Sequence, residues 1–578
     1  MSNYTVYHLH SDRSLLDSCT NYKDYINKAK ELGMKSIGFS EHGNVYNWIE
    51  KKMYCDEVGI KYIHGCEFYL TKTINEKIRD NYHTILIAKN MEGLKELHLL
   101  LDKSTQDDHV YYKNRITYDE FLNISNNIIK ISACLASPLN KEEDECLVDK
   151  LAKHYDYYEI QYHNDRNNEQ KTYNRKLYEL SKKNNIPLIV GTDTHSLDKY
   201  KAECRSIFKL AKKMSYEGED DFDLTFKSYN EVLEMFDIQN SLPKEVILEA
   251  INNTNIMADS CDDIILDPSV KYPKLSDDDN NLFVKRLQEK FKEKVSKGII
   301  KDTREFRDQL NEEIRVFKKL DMCSFMLFMS EMCVWCREND IPTGFCRGSV
   351  GGSCVAYVLD IIDMNPLYWG TVFSRFANED RKEVGDIDLD FSPNQRELVY
   401  KYIMNRFGMD KSAYILAIGT ISDKGTIDDI GRALDIPLSE VSEIKKIYEE
   451  NEEKAREKYK KLFYYFDGLI GTAVSQSVHP AGIIASPVTL PDNYGTFWKD
   501  GARILQINME EVHDGAGLVK YDILGLKNIQ IIKNTCDLIG IKYPMSYEID
   551  WNDKNVWDNI CNSPVGLFQF ESRHICSR

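Results

Sequence analysis

Short apolar runs separated by helix-period stretches fill the first third of the chain. Residues 4–10 alternate polar and apolar, which sets His8 and His10 on one face of a strand. Strand-like runs then follow at intervals. SIGFS ends at Glu41-His42-Gly43-Asn44, KYIHGCEFYL carries Glu67, and HTILIA begins at His83. IIKISACLAS carries Cys134, YEIQYH carries Glu159 and His163, and IPLIVGTDTHS carries Asp193 and His195. Helical stretches such as 22–32 and YNRKLYELSKKNN stand between them. Strand and helix in alternation predict a βα barrel or a parallel sheet. Polar residues recur where the strands run out, the end at which barrel enzymes place their sites.

The pattern changes at DDIILDPSVKYPKLSDDDNN, about residues 262–281, where two prolines and an acidic run predict a linker. Phe306, Leu310, Ile314 and Phe317 then recur at helical spacing and predict a packed amphipathic helix. The apolar run SFMLFMSEMCVWCREN predicts a further helix. After it come a Gly/Ser-rich turn (347–353), a helix-like segment and a short strand ending in GDIDLDF. The stretch to about Phe466 is helical and charge-dense, with both signs at helical spacing, which reads as a solvated face. Strand-like runs return in SVHPAGIIAS and GLVKYDILGLKNI.

A chain of 578 residues is long enough for about four domains. Its 42% apolar content supports real cores. No run of 18 apolar residues and no signal-peptide pattern is present, which predicts no membrane span and a cytoplasmic protein. The net charge of −18 argues against a polycation that coats DNA but leaves room for local basic grooves. Fifteen cysteines in such a chain read as reduced thiols. Cys333 and Cys336 form a CxxC, but within an apolar helical run they predict core packing.

Two constellations carry chemistry. Ten of the thirteen histidines fall at or before His195. Histidine, acid and cysteine at repeated strand ends suit borderline divalent metals such as Zn²⁺ or Mn²⁺, which generate hydroxide for phosphoester hydrolysis. The second is the strand with Asp386, Asp388 and Asp390 at every other position, all on one face. Such a row repels itself unless cations sit there. Carboxylates suit Mg²⁺, and a glycine turn upstream offers N–H groups to a phosphate. Together they suggest two-metal phosphoryl or nucleotidyl transfer. By itself the DxDxD spacing also fits a solvated strand face or a calcium loop.

CRGSVGGS, SRFANED and GDIDLDF, in that order, resemble the palm of bacterial DNA polymerase III alpha subunits, the family C polymerases. That family carries a GRGS-x-x-GS turn, an ERF-x-NP-like run and a PDxDxDF strand. The departures are Phe345-Cys346 for Pro-Gly and Gly385 for proline. GLVKYDILGL resembles the family's K-x-DFLGL strand, and SVHPAG its SVHAAG motif, with His479 a candidate site or capping residue. The resemblance implies that Asp386, Asp388 and Asp522 are the catalytic, Mg²⁺-binding carboxylates. Arg347, Gly348, Ser349, Gly352, Ser353 and Lys520 are then the candidate phosphate-binding residues. Asp390 matches an aspartate with no metal role. Residues 1–270 resemble the PHP domain that opens these polymerases. The resemblance supplies all nine metal-ligand positions: His8, His10, Asp17, His42, Glu67, His83, Cys134, Asp193 and His195. Ser40-Glu41 replaces the family's common Thr-Asp. VGLFQFESRHICSR resembles the family's entry to the fingers.

The implied fold is α/β: a PHP (βα)7-type barrel, then a polymerase-beta-like nucleotidyltransferase palm with an inserted helical thumb. The implied domains are 1–270 (PHP), 271–395 (palm, first part), 396–470 (thumb), 471–540 (palm, second part) and 541–578 (start of the fingers, truncated). The implied function is DNA-directed DNA synthesis, with a PHP domain able to act as a 3′–5′ exonuclease. The implied partners are primer-template DNA, deoxynucleoside triphosphates, a separate chain supplying the fingers and C-terminal domains, and a sliding clamp. Its site would be the bacterial cytoplasm, or a host's if the source is viral. Two alternatives stay open: a metal-dependent phosphoesterase whose palm only binds DNA, and a non-catalytic replication subunit that needs a partner.

Overall fold

The computed structural model describes residues 3–215, 222–379, 387–563 and 565–571. In chain order the strands are β1 (Ser36–Phe39), β2 (Lys61–Thr71), β3 (Tyr82–Ala88), β4 (Val110–Tyr111), β5 (Lys113–Thr117), β6 (Ile128–Ile131), β7 (Tyr158–Ile160) and β8 (Leu188–Val190). They continue with β9 (Asp388–Phe391), β10 (Ser412–Thr420), β11 (Ala473–Ala485), β12 (Thr496–Lys499), β13 (Ala502–Asn508) and β14 (Lys520–Gly525). The chain forms two compact units. One holds the residues up to Ser269 with Tyr414–His479 and Thr489–Gly517; the other holds Val270–Ala413, Pro480–Val488 and the residues from Leu518. No described helix is long and apolar enough to cross a membrane.

In the first unit, successive segments pair in a ring. Val6 bridges Ile37, and β1 runs parallel to β2. β3 is antiparallel to both β2 and β6. Ile131 bridges Tyr157, β7 runs parallel to β8, and Thr194 bridges back to Leu9. The parallel steps are those that span a helix: Tyr22–Glu31, Trp48–Val58 and Glu169–Asn184. β3 departs from the expected parallel run because only residues 72–81 join it to β2, with no helix among them. β1, β6, β7 and β8 are buried along their whole length, as strands covered on both faces are. Tyr7, Ile63, Ile85, Ile87, Ile131 and Ile189 form one core beneath them. The Tyr22–Glu31 helix is capped by Asn21 and buries Tyr22, Tyr25, Ile26 and Ala29 on one stripe.

The same unit holds a second sheet segment, with β13 antiparallel to β12 and parallel to β10. β10 is a strand inside the stretch expected to be helical, since SAYILAIGT is apolar without helical spacing. Beyond it, helices Asp423–Ala433 and Lys460–Leu469 pack with Lys199–Lys212, and Leu438–Glu450 packs on Asp423–Ala433. Phe208, Ile427, Ile430, Ile444, Phe463 and Phe466 fill that core, each burial contributing about 1.5–3 kcal/mol.

Residues 262–278 carry no helix, and in the second unit Asp279–Ser296 begins the helical part, as the proline and acid pattern predicts. Helix Arg304–Lys319 buries Phe306, Leu310 and Phe317 as expected, but Glu313 is fully buried where Ile314 is only half-buried. Cys333 and Cys336 are buried in helix Cys323–Glu338, and every described cysteine is a free thiol. Burial pushes the Cys333 thiol up to about 12, which fits packing and not redox chemistry. The Gly482–Ile484 end of β11 pairs antiparallel with β14, which pairs parallel with β9.

The glycine turn precedes β9 and packs against residues 371–373. A methyl carbon on Gly352 would lie 2.4 Å from the Val372 carbonyl oxygen and 2.9 Å from the Phe373 nitrogen, both backbone atoms. Gly352→Ala is therefore expected to cost about 1–3 kcal/mol, read as a lower melting temperature. A wild-type melting curve for this variant would show that the turn has slack.

Candidate metal centres and phosphate-binding turn

His8 and His10 project to one side of the extended segment that bridges Thr194. His42 follows β1 and bridges Glu67 on β2; His83 opens β3 opposite Tyr69. Cys134 follows β6, and Asp193 and His195 follow β8. All nine residues expected to ligate metal come together here. Glu67 is the hub: its oxygens lie 2.6 Å from His42 Nδ1, 2.8 Å from His83 Nδ1, 3.6 Å from His8 Nε2 and 3.8 Å from His10 Nε2. Asp193 Oδ1 lies 3.1 Å from His8 Nε2, 3.5 Å from His10 Nε2 and 3.6 Å from His195 Nδ1. Asp17 Oδ2 lies 2.8 Å from His42 Nε2 and 3.1 Å from His195 Nε2, and Cys134 Sγ lies 3.6 Å from His83 Nδ1.

Three groups have ligand atoms close enough to share one ion: His10 with His42 and His195, His8 with His10 and Asp193, and Glu67 with His83 and Cys134. His8 Nε2, His10 Nε2, His42 Nδ1, His195 Nε2 and Glu67 Oε2 are all buried, yet none is aligned in a hydrogen bond. Buried polar atoms are ordinarily satisfied, so a donor set of this kind fits cations. Burial, with His42 and His195 stacked at 4.1 and 4.4 Å, pushes His10 down to about 3 and keeps it neutral, the form that ligates. Burial works against the Glu67 carboxylate, but His83 and His42 outweigh it and hold Glu67 well below the usual carboxylate range.

A surrounding layer orients these groups. Glu159 accepts hydrogen bonds from the Tyr7 hydroxyl (2.9 Å) and Gln161 Nε2 (2.7 Å) and lies 2.7 Å from His8 Nδ1. Ser14 links His10 Nδ1 (3.1 Å) to Glu41 (2.7 Å), whose charge meets buried Lys51 at 2.7 Å. Arg205 donates to the Asp17 carbonyl oxygen and to its carboxylate. Nothing in the sequence flags Arg205, because its partner lies far away along the chain. Arg205→Gln is expected to weaken metal retention about 10–100-fold, measured by metal content after dialysis against graded chelator. Equal retention would make Arg205 a packing residue only.

In the second unit, the register of β14 on β9 sets Asp522 directly beside Asp388. Paired positions on neighbouring parallel strands point to the same face. Asp386 lies outside the described residues. Asp388 is about one-third exposed, with 32% of its side chain open, while Asp522 is buried. Lys520 lies 2.8 Å from the Asp522 carboxylate. Arg347 Nη1 lies 2.7 Å from Asp390, and its Nε lies 3.9 Å from Asp388. Burial raises the Asp390 carboxyl against the pull of Arg347.

Gly348 has φ +69° and is exposed; a Cβ there would lie 3.6 Å from Asp388 Oδ2. Ser349 is half-buried. Gly352 and Ser353, expected to bind phosphate, are instead fully buried. The Ser353 hydroxyl donates to Glu313 (2.7 Å) and accepts from the Ala356 N–H (3.0 Å), so it is spent inside the protein. Arg347 and Lys520 are half-buried, like Ser349. His479, in β11, is half-buried.

Residues 281–525 match the family described as the bacterial DNA polymerase III alpha NTPase domain, and residues 7–166 match the PHP domain. The chain is 31% identical to a DNA polymerase III subunit alpha of Borreliella burgdorferi, over 99% of this chain and 53% of that protein. It is 29% identical to the same subunit of Aquifex aeolicus, over 98% of this chain and 55% of that protein. The chain spans about half the length of the curated relatives it matches.

Proposed function

This chain belongs to the family of DNA polymerase III alpha subunits, and on that premise we propose that it carries the nucleotidyl-transfer centre of a replicative DNA polymerase. The observation that carries the reading is the register that sets Asp522 against Asp388. Two Mg²⁺ ions would activate a primer 3′-hydroxyl and neutralise the triphosphate and its leaving pyrophosphate. Asp388 and Asp522, with Asp386, would hold them, and the donor set of hard carboxylate oxygens fits that metal. Arg347, Gly348 and Ser349 would bind phosphate oxygens, and Lys520 would orient Asp522 and balance charge. The relevant partners are primer-template DNA and deoxynucleoside triphosphates in the cytoplasm. A sliding clamp completes the reading.

The domain reading is a PHP barrel in 1–270, a polymerase-beta-like palm in 271–395 and 471–540, a thumb in 396–470 and the start of the fingers in 541–578. The closed ring of strand pairings in the first unit supports the barrel. Primer extension in Mg²⁺ tests the whole reading. It is run with this chain alone and with the remaining length of a relative supplied. Template-dependent extension that chelation abolishes is the expected result; none under either condition would leave the palm a DNA-binding module.

A second reading is favoured by the nine candidate ligands that converge in the first unit, eight of them in groups close enough to share an ion: 3′–5′ exonuclease chemistry. Zn²⁺ or Mn²⁺ ions there would supply hydroxide for phosphodiester hydrolysis. His8, His10, His42, His83 and His195 would hold them as neutral or partnered imidazoles, with Asp17, Glu67, Cys134 and Asp193 supplying negative charge.

A further inference from the structure

Glu313 lies on the buried stripe of helix Arg304–Lys319 and is completely buried. Its Oε1 accepts hydrogen bonds from the Cys354 N–H (2.9 Å) and Gln309 Nε2 (3.0 Å). Its Oε2 accepts from the Ser353 hydroxyl (2.7 Å) and the Val355 N–H (2.9 Å). Those four bonds fill the accepting capacity of a carboxylate. Two of the donors are N–H groups at the start of helix Cys354–Val358, which have no partner within their own helix. Burial pushes the Glu313 carboxyl up to about 7, against the pull of these donors. An apolar side chain at the same stripe position would pack without that opposition, so packing alone does not account for a carboxylate here.

The segment Glu313 holds is the glycine turn and its exit. From the other side the Thr371 hydroxyl donates to the Gly351 carbonyl oxygen (2.7 Å), and Gly352 packs so close to Val372 that a Cβ would lie 2.4 Å from its carbonyl oxygen. At the open end Arg347 is tied to Asp390, and Gly348 borders Asp388. The first N–H groups of helix Cys354–Val358 are already taken from inside the protein.

We propose that Glu313 is a positioning residue of the nucleotidyl-transfer centre. By holding the exit of the glycine turn, it fixes the distance from Asp388 of Arg347, Gly348 and Ser349, which bind the triphosphate in that reading. The proposal rests on the polymerase reading above.

Glu313→Gln keeps the shape but sets an amide N–H donor against a backbone N–H. Two measurements on the 578-residue chain test it. Hydrogen exchange at the amides of residues 348–355 is expected to quicken about tenfold or more. The dissociation constant for Mg²⁺·dATP is expected to rise about tenfold, while Mn²⁺ binding in the first unit stays at the wild-type value. General structural damage would not separate the two affinities. Unchanged exchange, or faster exchange with unchanged Mg²⁺·dATP affinity, overturns the proposal. If Glu313→Gln does not fold, Glu313→Asp, one methylene shorter with the charge kept, is read in the same two measurements and by the same criteria. If the wild type binds no Mg²⁺·dATP, alone or with the remaining length of a relative supplied, the polymerase reading falls and takes the triphosphate half of the proposal with it. The exchange result then still decides whether Glu313 positions the turn.

Discussion

Asp388→Asn is expected to lower nucleotide incorporation about a thousandfold or more, in primer extension with the remaining length of a relative supplied. The substitution keeps the size of the side chain and removes its charge. Asp388 is one-third exposed and, among the described residues, pairs with no cation closer than Arg347 Nε at 3.9 Å, so stability is expected to change little. Incorporation depends on it differently. A cation bridging Asp388 and Asp522 would lose half of the charge from the strand pair that faces it. A thousandfold loss corresponds to about 4 kcal/mol of barrier, within the range a metal supplies to a phosphoryl transition state. Normal extension by the folded variant would remove Asp388 from the centre and leave the strand register without a catalytic meaning.

His10→Ala should produce the complementary loss. His10 belongs to two of the three candidate ligand groups, and its ring is held between His42 and His195. Its removal takes a ligand from two ions at once. Metal-dependent release of nucleotides from a 3′ end is expected to fall about a hundredfold or more, with less metal retained after dialysis. Incorporation should persist. The pair of variants therefore separates the two chemistries: Asp388→Asn keeps 3′ release and loses synthesis, and His10→Ala does the reverse. Loss of both activities in either variant, with melting unchanged, would mean a single shared site. Intact 3′ release in His10→Ala would mean that hydrolysis, if present, happens elsewhere.

Both sites were legible in the sequence to the extent that their chemistry coincides with local pattern. His8, His10, Asp193 and His195 stand at strand ends, where a polar residue interrupts an apolar run and has no packing reason to be there. Asp388 and Asp522 could be placed on strands, but no local feature says that the two strands are neighbours; that came through the resemblance and the register agrees with it. The direction of β3 was not legible, because HTILIA reads the same either way and only the short connection from β2 decides it. The strand β10 was hidden by the charged helices that follow it. Glu313 left a signal that was easy to misread. Phe306, Leu310, Glu313 and Phe317 have helical spacing, so the acid occupies a core position, whereas a glutamate beside apolar residues is ordinarily taken as facing water. Gly352 and Ser353 stand in a turn whose composition suggests phosphate binding, but how deeply a turn residue is buried depends on what packs behind it.

The candidate ligands of the first unit are contributed by segments spread between His8 and His195 around the ring. Cations shared among them would tie that ring together like rivets, and their binding energy would count toward folding. Chelation should then loosen the unit, even in a variant that hydrolyses nothing. Selection for a sturdy scaffold alone is thus enough to preserve every ligand, so an intact set is a weaker sign of nuclease activity than it looks.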